Sequence, residues 1–140
     1  MKALEIRGAA ADRTCVTPRV LVIEDSASVR RLIEVCLRTV DVELLAADDG
    51  IRGLDVARTT LPEVIVLDIG LPGMDGWEVL RNLRGDMDTR PIRVLVLTAH
   101  AQPEMADRAQ EGGADAFMTK PFRPLELRDQ IEKLLTSERV

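Results

Sequence analysis

Five short apolar runs, each followed by a stretch with helical spacing, constrain this chain more than any other feature. The runs are RVLVIED (19–25), VELLAA (42–47), EVIVLD (63–68), RVLVLTA (93–99) and AFMT (116–119). Their apolar residues are consecutive rather than alternating, as expected of strands covered on both faces. Between them, SASVRRLIEVCLRTV (26–40) places Val29, Leu32, Ile33, Cys36 and Leu37 on one helical face. DDGIRGLDVARTT (48–60) opens on an Asp cap and is expected to turn Ile51, Leu54 and Ala57 inward. DGWEVLRNLR (75–84), PEMADRAQEG (103–112) and RPLELRDQIEKLLTS (123–137) complete the set. Pro103 starts the fourth helix and Gly112 ends it. Strand and helix alternate five times, which requires right-handed helical crossovers between parallel strands. The predicted fold is α/β, a doubly wound five-stranded parallel sheet with five helices.

A chain of 140 residues suits one such domain. Residues 1–17 lack periodicity and read as a flexible N-terminal extension, leaving 18–140 as the folded unit. No apolar run approaches the roughly 18 residues that span a bilayer, and MKALEIRG is no secretory leader. A cytoplasmic protein without membrane contact is expected. The net charge of −5, with 19 basic and 24 acidic residues and no basic stripe, argues against direct nucleic-acid binding. Cys36 reads as an inert buried thiol and Cys15 as a stray thiol in the extension, without a disulfide between them.

In a parallel α/β sheet the carboxyl ends of the strands share one edge, where ligands bind. Here the first strand ends in Glu24 and Asp25, the third in Asp68, the fourth in Thr98, and the fifth runs into Lys120. Three carboxylates on one edge repel one another unless positive charge joins them. Lys120 supplies one charge; a small hard cation with oxygen ligands, Mg²⁺, suits the remainder and leaves room for a phosphate oxygen. A carboxylate beside such an ion can attack phosphorus and become an aspartyl phosphate. Asp68 would be the phosphoacceptor, Lys120 would hold a phosphoryl oxygen, and Thr98 would donate a hydrogen bond.

The ED closing the first strand, DIGLPGMDG after the third, TA after the fourth and KPF after the fifth together resemble the receiver domain of two-component response regulators, over about residues 18–137. The resemblance implies a flavodoxin-like strand order, 2-1-3-4-5. It implies phosphoryl transfer to Asp68 from a sensor histidine kinase or phosphotransfer protein, with Mg²⁺ held by Glu24, Asp25, Asp68 and the backbone carbonyl of Gly70. Thr98 and Phe117 would be the switch residues, the Lys120–Pro121 bond would be cis, and Gly70 and His100 would modulate phosphoryl lifetime. Output would pass through the fourth helix, fifth strand and fifth helix to a downstream partner, by a monomer or a phosphorylation-dependent dimer. Only SERV follows the last helix, so a stand-alone switch is expected. Two departures stand out: Glu24 where Asp is frequent, and Phe117 without the hydroxyl of Tyr.

Other readings compete. A haloacid-dehalogenase-type phosphatase also attacks with a strand-end Asp, but needs a second Asp two residues later, where this chain has Gly70. A flavodoxin-like cofactor carrier needs a neutral phosphate loop, and EDS is anionic. A receiver-like scaffold that never phosphorylates would have no need of all five site residues. Taken singly, Lys120 reads as a snorkelling surface charge and Thr98 as a plain strand residue. Phe117 reads equally as static core or switch, and His100 as an exposed loop residue. Trp77 is expected on a partly buried helix face, and Arg30 and Arg31 on the solvated side of the first helix, near which kinases of this family dock.

Overall fold

The computed structural model describes residues 17–100 and 102–136. The extension up to residue 16, Cys15 with it, lies outside them. The strands are β1 (Arg19–Ile23), β2 (Glu43–Ala47), β3 (Val64–Asp68), β4 (Arg93–Thr98) and β5 (Ala116–Thr119). The helices are α1 (Ala27–Cys36), α2 (Gly50–Thr60), α3 (Gly76–Gly85), α4 (Pro103–Glu111) and α5 (Pro124–Thr136). All strand pairs are parallel, in the order β2-β1-β3-β4-β5. This is the doubly wound sheet the alternation predicted, in the order the resemblance implied.

The pleat sends successive side chains to opposite faces, and both faces are covered. Leu21, Ile23, Ile65, Leu67, Val94 and Val96 pack with Leu54, Val79, Leu80 and Leu83 on one side. Val20, Val22, Val64, Val66, Leu95 and Leu97 pack with Ile33, Cys36, Leu127 and Ile131 on the other. Burial on both sides is why the strands read as unbroken apolar runs. Among the described residues, no helix is long and apolar enough to cross a membrane.

The first three helices each begin at the carboxyl edge with a side-chain cap, whereas Gln102 before α4 makes no such bond. Ser26 accepts from the Val29 N–H at 3.3 Å, Asp49 from the Arg52 N–H at 2.8 Å, and Asp75 from the Glu78 N–H at 3.0 Å. At the opposite, amino-terminal ends of β4 and β5, the Arg84 guanidinium donates to the carbonyls of Gly113, Arg90 and Ile92 and pairs with Asp115. That end of the sheet is fastened by a cluster of partly buried and exposed polar bonds.

Two expected core residues lie outside. Ile51 is 68% exposed, and α2 instead buries Gly50, Gly53, Leu54 and Ala57. The cause is close approach: a Cβ on Gly53 would sit 2.5 Å from Ile23 Cδ1 of the sheet, and one on Gly50 would sit 2.8 Å from Val79 Cγ2 of α3, so α2 turns its glycines inward. Leu32 is 40% exposed because the α1 stripe centres on Ile33 and Cys36, with Leu32 at its margin. Cys36 is a buried free thiol, as expected.

Candidate functional site

The carboxyl edge gathers the predicted residues. Glu24 follows β1 directly and is 1% exposed; Asp68, the last residue of β3, is also buried, and Asp25 is exposed. One carboxylate oxygen from each of Glu24, Asp25 and Asp68 lies within 4.8 Å of the others. β1 and β3 are hydrogen-bonded neighbours with Ile23 opposite Leu67, so adjacent strand ends bring these acids together.

Lys120 closes the cluster. Its Nζ lies 2.8 Å from Glu24 Oε1 and 3.3 Å from Asp68 Oδ1. Its backbone N–H donates to the Thr98 carbonyl at 2.7 Å, which seats it beside β4, and the Lys120–Pro121 bond is cis. Asp68 Oδ1 also accepts from the Gly70 N–H at 3.1 Å. Both contacts fall on Oδ1; among the described residues Oδ2 makes neither.

Charge and burial act against each other here. Burial raises the Glu24 pKa, and the hydrogen bond from Lys120 and that from the Ser26 N–H only partly oppose it; the Asp68 charge raises it further. For Lys120, burial pulls downward, but the hydrogen bond to Glu24 and the charges of Asp68 and Glu24 outweigh it, and its pKa rises. With three acids and one ammonium, the ionised cluster carries two unbalanced negative charges. Glu24 Oε1 is buried, and among the described residues the Lys120 ammonium at 2.8 Å is the partner that reaches it. An all-oxygen donor set with excess negative charge fits a hard divalent ion.

Thr98 is buried at the end of β4, and its Oγ1 accepts from the His100 N–H at 3.1 Å. The hydroxyl proton remains available to donate. His100 itself is exposed. Phe117 is half-buried, opposite Val96 in register, and lines a small cavity with Ala106, Ala109 and Ala114. It packs against the α2–α3–α4 face of the core rather than reaching the acids. Trp77 is buried in α3 with the Arg108 guanidinium 4.4 Å above its ring, a cation–π contact joining α3 to α4.

Two residues of the site were missed or misread from sequence. Ser26 donates its N–H to Glu24 Oε2 at 3.0 Å while its hydroxyl caps α1; its position as a cap after an acid pair was the available signal. Arg30 is half-buried, not solvated, and its Nη1 donates to the Glu24 carbonyl at 2.8 Å. Periodicity places it off the core stripe but says nothing of a long side chain folding back. Arg31 is exposed, as expected.

A family model described as the response regulator receiver domain matches residues 20–132. The DNA-binding dual master transcriptional regulator RpaA of Synechocystis sp. is 36% identical over 118 residues, covering 84% of this chain and 49% of that protein. This chain thus spans about half the length of the first curated relatives it matches. Sporulation initiation phosphotransferase F of Bacillus subtilis is 30% identical over 117 residues, covering 84% of this chain and 93% of that protein. Among solved structures, the receiver domain of sensor histidine kinase PA1611 of Pseudomonas aeruginosa, with a magnesium ion coordinated in its active site cleft, superposes with a TM-score of 0.79. It is 25% identical, with 87% of this chain and all of that one covered.

Proposed function

Because the chain belongs to the response regulator receiver domain family, a module of two-component phosphorelays, we propose that Asp68 is its phosphoacceptor. The observation that carries the reading is the convergence of Glu24, Asp25, Asp68 and Lys120 at one sheet edge. An Asp68 oxygen attacks the phosphorus of a donor phosphohistidine, and the P–N bond breaks. Its electron pair stays on the histidine nitrogen, which takes up a proton. Lys120, already 3.3 Å from Asp68, holds a phosphoryl oxygen, and the Thr98 hydroxyl donates to another. Glu24, Asp25, Asp68 and the Gly70 carbonyl would hold Mg²⁺, which would supply neutralisation of the developing phosphoryl charge. The magnesium in the Pseudomonas relative supports that assignment.

The product adds about −1.5 to −2 charge at neutral pH beside Thr98. Thr98 draws toward it and Phe117 follows inward, which changes the surface of α4, β5 and α5 that a downstream partner reads. His100 and Gly70 flank the phosphoryl position and set its lifetime. Residues 18–140 form the receiver unit, and residues 1–17 lie outside it. The cognate donor is a sensor histidine kinase or a phosphotransfer protein, in the cytoplasm.

Incubation with acetyl phosphate and Mg²⁺ tests the reading by intact-protein mass. One added phosphoryl group, labile to hydroxylamine and dependent on Mg²⁺, is expected. Asp68→Asn should remove it; labelling that persists on the mutant refutes the nucleophile.

A further inference from the structure

The magnesium pocket depends on Glu24, whose side chain has one more torsion than the Asp frequent at this position. A ligand with an extra torsion loses more freedom when it is fixed, so what holds its backbone matters. The Glu24 N–H donates to the Ala47 carbonyl of β2 at 3.0 Å, and its Oε2 accepts from the Ser26 N–H at 3.0 Å. The third restraint comes from α1: Arg30 Nη1 donates to the Glu24 carbonyl at 2.8 Å. That carbonyl belongs to the peptide joining Glu24 to Asp25, so one bond governs the orientation of two of the three acids. Among the described residues Arg30 forms no ion pair with a carboxylate. A guanidinium next to an acid cluster is committed to a neutral backbone oxygen, the geometry of an orienting group rather than a counter-ion.

We propose that Arg30 is a positioning residue for the divalent-ion pocket, holding the Glu24–Asp25 peptide so that both carboxylates converge with Asp68. The inference rests on the magnesium reading above and goes beyond it in naming what fixes the ligands. Charge and geometry predict opposite signs. Through its charge alone Arg30 repels a cation, so its removal would tighten Mg²⁺ binding. Through positioning its removal loosens binding, since groups that orient metal ligands are commonly worth tenfold or more in affinity.

The test is calorimetric Mg²⁺ titration of the full chain and its Arg30→Ala, Arg30→Lys and Arg31→Ala variants, with the Asp25 amide nitrogen shift recorded without metal. Arg30→Ala should raise the dissociation constant about tenfold and move the Asp25 nitrogen, because that peptide loses its carbonyl partner. Arg30→Lys should recover part of the affinity, and Arg31→Ala should match wild type. Mg²⁺ binding by folded Arg30→Ala that equals or exceeds wild type overturns the proposal. Should Arg30→Ala fail to melt cooperatively, Arg30→Gln decides, being neutral and too short to reach: weakened binding supports positioning, and unchanged or tighter binding refutes it. Wild type that binds no Mg²⁺ strikes the underlying reading, a separate outcome.

Discussion

Glu24 and Lys120 form a buried pair whose members are not equally content. Lys120 gains two acidic neighbours, whereas Glu24 is held by one ammonium and one N–H in surroundings that disfavour its charge. A carboxyl with its folded pKa raised stabilises the fold most when protonated, below the unfolded value, and that contribution is lost as pH rises through the folded value. Ionised Glu24 is therefore a cost in the metal-free protein, and a cation bound as proposed would offset it. Under that proposal protons and Mg²⁺ would compete for this carboxylate. At 100 times its dissociation constant a ligand stabilises by about 2.7 kcal/mol, several degrees in Tm for a domain of this size. The Tm increment from a fixed Mg²⁺ concentration should be larger near pH 7.5 than near pH 5; calorimetric scans showing equal increments would contradict the coupling. The acids and Lys120 were legible in sequence because strand ends share an edge by topology. The role of Arg30 was not, because it depends on the path of one flexible side chain.

At the scale of elements, α3 approaches the strand end that carries Asp68, the proposed nucleophile. A Cβ on Gly76, the first residue of α3, would lie 2.6 Å from both the Asp68 carbonyl oxygen and Ile69 Cα. Both obstacles are backbone, so no rotamer relieves them. Gly76→Ala gains at most about 1 kcal/mol of helix propensity and meets an overpacking cost of about 1–3 kcal/mol. We expect net destabilisation of about 1–2 kcal/mol and, since the clash displaces Asp68, weaker Mg²⁺ binding. Denaturant unfolding with and without Mg²⁺ measures both, and a variant as stable as wild type would contradict the close approach. The same physics explains where the sequence reading of α2 failed. Counting apolar residues favoured Ile51, but a helix seated tightly on a sheet can put glycines inward, and hydrophobicity does not mark them. Element identity and order were legible because continuous apolar strands and 3.6-residue periodicity are unlike one another; the rotation of each helix about its axis was less so.

For the whole molecule, two faces of the sheet are filled and one edge is left for chemistry. The neighbouring positions of β1 and β3 at the centre of the order β2-β1-β3-β4-β5 make that edge a single site rather than scattered acids. That order came from the resemblance and not from residue patterns, since alternation alone permits several orders. Mn²⁺ takes the same oxygen ligands as Mg²⁺ and broadens nearby amide resonances, so substoichiometric Mn²⁺ followed by two-dimensional nitrogen–proton spectra tests the pocket most directly. Broadening should centre on Glu24, Asp25, Asp68, Gly70 and Lys120 and be reversed by excess Mg²⁺. Broadening that centres instead on Asp48, Asp49 and Asp55, or none at all, would contradict it.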